Sequence, residues 1–189
     1  MTGNNLSRET QDHRQHAPLR HVFAWARDLV MSLVIAAVVI LFIYQPVQVE
    51  GTSMEPALVN EERIFINKFT YRFGIEKVGL GDMVVFRFPN DPSKSFIKRV
   101  IGLPGDYVRI EEGHVFRNGR PLEEPYLPES SRDKASWGPS RIAQDHYFVL
   151  GDHRSSSNDS RNWGAVHRDL IYGKAVFVYW PLSKLGPVR

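Results

Sequence analysis

The stretch "DMVVFRFPNDPSKSFIKRVIGLPGD", residues 82–106, decides the fold. Its two apolar runs, "DMVVFRF" and "SFIKRVIG", are rich in β-branched and aromatic residues and show little helical periodicity, so they read as strands. "GLPGD" at Gly102–Asp106 reads as the tight turn that reverses the second, with Pro104-Gly105 suited to type II geometry. Outward from this stretch the same texture recurs between turn signals in "PVQVE", "RIFINKFTY", "YVRIEE", "HVFRNGRPL", "HYFVLG" and "KAVFVYW". Short strands at such spacing predict a mainly β domain built on antiparallel sheet. Asn118-Gly119 in "RNGR" is a hairpin signal of type I′. Residues 121–144, rich in Pro, Ser and charge, read as a small lobe inserted in the sheet.

The chain has 189 residues, enough for one domain with a sizeable core and one membrane segment. Its net charge of +3 comes from scattered Lys and Arg, which gives no support to nucleic-acid binding. Cysteine is absent, so disulfides, thiolate catalysis and cysteine-ligated zinc are excluded. Neither a metal nor a cofactor is expected. His13, His16 and His21 lie in a polar N-terminal stretch that offers no preformed ligand set.

"LVMSLVIAAVVILFIY", Leu29–Tyr44, carries no charge, and Val22–Trp25 extend it upstream. With these flanks it reaches the roughly 20 apolar residues that cross a bilayer. A core helix would show a polar face, and a cleavable signal peptide would have a shorter leader and a small-x-small exit, so the segment reads as an uncleaved anchor over 22–44. Arg8, Arg14, Arg20 and Arg27 before it favour a cytoplasmic N-terminus. The expected organisation is a disordered cytoplasmic tail (1–21), the anchor (22–44) and an outer domain (45–189).

Chemistry in the outer part centres on "GTSMEPAL", Gly51–Leu58. A serine hydroxyl needs a neighbouring base to become a nucleophile. Four histidines lie in the outer part, but none belongs to a hydrolase motif: Ser53 has no G-x-S-x-G elbow, and Pro56 stands where an S-x-x-K enzyme has lysine. A lysine base must be neutral, which burial among apolar groups favours. Lys98 shares a strand face with Phe96 and Val100. On the residues alone the favoured reading is an ordinary edge-strand surface lysine, since charged residues are rarely buried. "VLGDHRSSSNDSRNWG", Val149–Gly164, reads either as a solvated turn or as a hydrogen-bonded support for a site, and it does not match a calcium loop.

"GTSMEPAL", "FIKRVIGLPGD" and "GDHRSSSNDSRNWG", in this order behind an N-terminal anchor, resemble the motif boxes of bacterial type I signal peptidases (leader peptidases). The resemblance implies a signal-peptidase/LexA-like β fold and a membrane-bound serine endopeptidase with a Ser/Lys dyad. It implies cleavage of preprotein signal peptides on the outer face of the bacterial cytoplasmic membrane, with lipid and the secretion translocon as partners. By position, Ser53 matches the nucleophile, Lys98 the general base and Ser157 the serine that orients the lysine amine. Asp159 and Arg161 match an ion pair to which Arg99 contributes, and Asp152 matches a further acidic position. Val47, Val49, Gly51, Met54, Leu58, Phe96 and Ile97 are expected to line the pockets for an Ala-x-Ala site. Some members carry serine where this chain has Gly51, which removes a side-chain oxyanion donor, although other members share the glycine.

Three rivals keep the β scaffold. A LexA-like self-cleaving repressor would carry a DNA-binding domain where this chain has its anchor. A pilus or conjugation processing peptidase, or an inactive membrane-anchored binding relative, would share the segments quoted above.

Overall fold

The computed structural model describes residues 17–69 and 77–188. The expectations for Arg8, Arg14, His13, His16 and the tail over 1–16 lie outside these residues, as does the end of "RIFINKFTY". The chain divides after Phe42 into two units. The first is dominated by helix α1 (Ala17–Ile43), which corrects the expected bounds: residues 17–21, expected in the tail, are helical, and Tyr44, expected in the anchor, opens β1 because it pairs with Asn67. Among the described residues this helix alone is long and apolar enough to cross a membrane, over His21–Val39. Its 27 residues make a rod about 40 Å long at 1.5 Å per residue. Arg27 and Asp28 pair with each other on its exposed surface.

The second unit is two antiparallel sheets. Strands β1 (Tyr44–Gln48), β2 (Arg63–Asn67), β3 (Met83–Phe88), β4 (Asp91–Gly102), β5 (Tyr107–Glu111), β6 (His114–Arg117), β7 (Arg120–Pro121) and β8 (Trp137–Arg141) come first. They are followed by β9 (His146–Leu150), the one-turn helix α2 (Ser160–Trp163), β10 (Val166–His167), β11 (Ile171–Trp180) and β12 (Gly186–Pro187). The larger sheet runs β1-β2-β11-β3-β4-β9-β10, with β12 beside β11, and the smaller runs β7-β6-β5-β8.

The near-continuous apolar run of β3 follows from its burial on both faces. Met83 and Val85 enter one core with Val49, Met54, Leu58 and Ile64, while Val84 and Phe86 enter a second with Val100 and Val149. A third core, holding Ile101, Val108, Ile110 and Phe148, joins strands of the two sheets. The two turns read from the sequence form as expected. Asp106 N–H donates to Leu103 O at 3.0 Å around Gly105 at φ +88°, and Asn118 and Gly119 take φ of 53° and 80°. Residues 121–144 differ in part from the sequence reading. Trp137–Arg141 form β8 and pair with β5, so only the segment between β7 and β8 stands off the sheets.

Gly113, between β5 and β6, sits at φ +81°, where a Cβ would lie 1.9 Å from Asp133 O. Gly113→Ala is expected to destabilise the protein by more than about 2 kcal/mol, because backbone strain and a backbone clash add. Urea unfolding measures this, and a loss below 0.5 kcal/mol would contradict the close approach.

Candidate active site

Ser53 stands in the turn that joins β1 to β2. Val49 N–H donates to Glu62 O and Glu61 N–H to Val49 O, which closes the base of this loop. Gly51, at φ +89°, donates its N–H to Asn60 Oδ1 at 2.8 Å. Leu58 N–H bonds Met54 O, and both side chains turn down into the first core at 0% and 1% exposure. This corrects the pocket expectation for Met54 and Leu58: they anchor the turn from below and do not line the groove, because burying them is what fixes the loop.

Lys98 lies on β4, opposite Val84 of β3. Its Nζ is 2.6 Å from Ser53 Oγ, and it donates to Ile97 O at 3.1 Å. The residue is only 4% exposed, which overturns the reading favoured on the residues alone: this is not an edge-strand surface lysine. The Phe96 ring centroid lies 5.4 Å from the amine. Burial pushes the Lys98 ammonium down to about 8, against the opposing pull of Asp159 and Asp152. A 2.6 Å separation serves both protonation states, since an ammonium donates to Oγ and a neutral amine accepts the Oγ proton.

Both aspartates are fully buried, and each has its own arginine. Asp159 takes Arg161 Nε and Nη2 at 2.8 and 2.9 Å and caps α2 through Arg161 N–H. Asp152 takes Arg99 Nε and Nη2 at 2.8 and 2.6 Å. Arg99, expected to contribute to the Asp159–Arg161 pair, grips Asp152 with its guanidinium and so makes a second bidentate pair. Breaking either buried pair would cost about 3–5 kcal/mol, since it strands a charge. Ser157 also differs from expectation. Among the described residues its buried Oγ has no hydrogen-bond partner, so the bond that was to orient the Lys98 amine is not made; the hydroxyl fills the space where a side chain on Gly151 would stand.

Beside Ser53 and Lys98 opens a groove of about 480 Å³. Of the expected lining residues, Val47, Val49, Gly51, Phe96 and Ile97 are present. Ile64 and Val85, which the sequence reading missed, complete its apolar wall, and Tyr172, Ser95, Ser156 and Asn158 also line it. Ile64 is the cross-strand partner of Val47, and Val85 that of Ile97, so strand register was the missing signal. Among the described residues no group of three or more His, Asp or Glu side chains is placed to hold a metal.

A family model described as signal peptidase, peptidase S26, matches residues 22–180. The chain is 35% identical to the "Probable signal peptidase I-2" of Synechocystis sp., over 96% of this chain and 84% of that protein. It is 38% identical to the "Signal peptidase I" of Leptolyngbya laminosa, over 82% and 78%, and 36% identical to the "Signal peptidase I P" of Bacillus subtilis subsp. natto, over 89% and 94%. A crystal structure of a signal peptidase I from Enterococcus faecalis is 27% identical, with a TM-score of 0.46, over 52% of this chain and 97% of that one. The chain is a serine peptidase, a hydrolase of peptide bonds. It belongs to the signal peptidase family, peptidase S26.

The depressed ammonium makes a stability statement. Between about 8 and 10.5 the unfolded chain binds the Lys98 proton and the folded one does not, so stability rises with pH through that window and is lost below it. Lys98→Met removes the penalty. At pH 7 the variant is expected to be more stable than the wild type by about 1–3 kcal/mol, and the gap to close towards pH 10.5. A gap that does not change with pH in urea unfolding would show that the amine carries no desolvation penalty.

Proposed function

We propose that this chain removes signal peptides from exported preproteins with Ser53 as nucleophile and Lys98 as general base. Its family and the curated relatives named signal peptidase I make it a signal-peptide-removing enzyme. The observation that carries the residue assignment is the 2.6 Å contact between Ser53 Oγ and an amine that burial holds at about 8. Neutral Lys98 accepts the Oγ proton as Oγ bonds to the scissile carbonyl carbon. Ser53 N–H is the donor on hand for the oxyanion, and Gly51 supplies no side-chain donor. On collapse the C–N bond breaks, and the Lys98 ammonium gives its proton to the leaving amine, the new N-terminus of the mature protein. Lys98 then takes a proton from water, the hydroxide attacks the acyl ester, and the signal peptide leaves as a carboxylate while Ser53 regains its proton.

The groove walls of Val47, Ile64, Val85, Phe96 and Ile97 suit small apolar side chains and exclude bulky ones. That supports cleavage after an Ala-x-Ala sequence. The apolar helix and the family together make this a membrane-anchored protein. The proposal extends to a cytoplasmic N-terminus, a span within α1, and a catalytic domain on the outer face that begins with β1 and carries a lobe within 121–144. Lipid and the secretion translocon are its partners in that arrangement.

Cleavage of an Ala-x-Ala preprotein by detergent-solubilised protein tests the dyad. Ser53→Ala and Lys98→Ala are each expected to lower kcat by at least about 10³-fold, in line with loss of a nucleophile or its base. Wild-type kcat/KM should rise with pH through one ionisation near 8, because only the neutral amine accepts a proton. Turnover by either variant would sink the assignment. A soluble pilus-type substrate cut in preference to secretory preproteins would favour the specialised relative, and an inactive wild type the binding relative.

A further inference from the structure

Residues 122–136, between β7 and β8, leave both sheets, yet two of their carboxylates turn inward to the loop that follows β9. Glu124, 6% exposed, accepts from both Nη atoms of Arg154, from Arg132 Nη1 at 3.1 Å and from Tyr126 OH at 2.9 Å. Arg154, 2% exposed, donates Nε to Gly151 O at 3.1 Å. Asp133 accepts Arg161 Nη1 at 2.5 Å. The same guanidinium grips Asp159 and donates to Arg154 O at 2.6 Å, and Asp159 accepts Gly151 N–H at 3.1 Å. Gly151 O is thus held by Arg154 itself and Gly151 N–H by Asp159, the partner of Arg161, and each arginine is held by a carboxylate of the 122–136 segment.

Gly151 stands where this matters. A Cβ on it would lie 2.4 Å from Ser53 O and 2.2 Å from Ser157 Oγ, so its backbone packs directly behind the nucleophile. Two residues on, His153 N–H donates to Ser53 O at 3.1 Å. A purely structural need would be met as well by apolar residues, since buried ion pairs add little net stability. These charges instead terminate on the backbone that seats Ser53.

We propose that Glu124 and Asp133 are positioning residues for catalysis. Through Arg154 and Arg161 they fix the Gly151 backbone, and through it the approach of Ser53 Oγ to Lys98 Nζ. The inference rests on the Ser53–Lys98 reading above. It makes the 122–136 segment part of the catalytic apparatus, acting without touching substrate.

The test compares wild type with Asp133→Ala, Glu124→Gln, their double variant and Asp106→Asn in detergent, below each melting temperature. It reads kcat and KM on an Ala-x-Ala preprotein and the rate at which a small serine-directed acylating probe labels Ser53. Asp106→Asn is the stability control: it weakens a partly buried pair with Arg117, and among the described residues the side chains bonded to the Gly151 backbone are Asp159 and Arg154, not these two. The expected result is a ten- to hundredfold fall in kcat and in acylation rate for Asp133→Ala and Glu124→Gln, with KM within about twofold, as for a small misplacement of a reacting group. The double variant should lose less than the product of the singles, because both act on one backbone unit. Asp133→Glu should recover most of the rate. Unchanged kcat and acylation in Asp133→Ala, a change confined to KM, or an equal kcat loss in Asp106→Asn overturns the proposal. If Glu124→Gln does not fold, the partly exposed Asp133 decides the matter alone. Wild type that cleaves preprotein without labelling at Ser53 would instead remove the dyad reading, and the positioning role with it.

Discussion

The site depends on one amine kept out of water. Lys98 reaches the interior because β4 presents it beside Phe96 and because Ser53, on a turn pinned by Met54 and Leu58, gives its Nζ a partner at 2.6 Å. An ammonium there would be costly, so the neutral form gains ground. That shift is what makes a lysine usable as a base near neutral pH.

The same interior holds two aspartates close enough to raise the amine again. Each is gripped by an arginine through two hydrogen bonds, Asp152 by Arg99 and Asp159 by Arg161. A carboxylate and guanidinium in bidentate contact act at a distance as a dipole, and their field at Lys98 is much weaker than that of a bare charge. The pairs thereby serve two ends. They make the burial of Asp152 and Asp159 tolerable, and they limit how strongly those carboxylates restore charge to Lys98. The Arg161 pair also carries structure to the active site, since Asp159 receives Gly151 N–H behind Ser53.

Membership of the signal peptidase family joins this chemistry to α1, the apolar helix that the family match largely covers. An enzyme whose substrates are themselves apolar segments has a physical reason to be anchored. Confinement to the membrane surface raises the encounter rate and restricts the approach of the scissile bond. In the proposed function the groove would then need only to distinguish small side chains from large ones, which shallow apolar walls achieve by exclusion.

Much of this was legible in the sequence, for a local reason. Strand texture, the Asn118-Gly119 and Pro104-Gly105 turns and the apolar helix are encoded by neighbours in the chain, and three ordered segments pointed to Ser53 and Lys98. What the sequence could not fix were choices between partners far apart. Arg99 meets Asp152 across 53 positions, Arg154 meets Glu124 across 30, and Lys98 meets Ser53 across 45. Ile64 and Val85 join the groove only because register sets them opposite Val47 and Ile97, while Met54 and Leu58 leave it because the turn needs them as anchors. Ser157, expected beside the amine, packs its hydroxyl against Gly151. Local sequence was enough to say which elements form and to single out Ser53 and Lys98 as the candidate reacting groups. Tertiary structure alone decided how charges pair, which apolar side chains line the groove and whether Lys98 is dry, because burial and pairing are properties of segments brought together and not of any one of them.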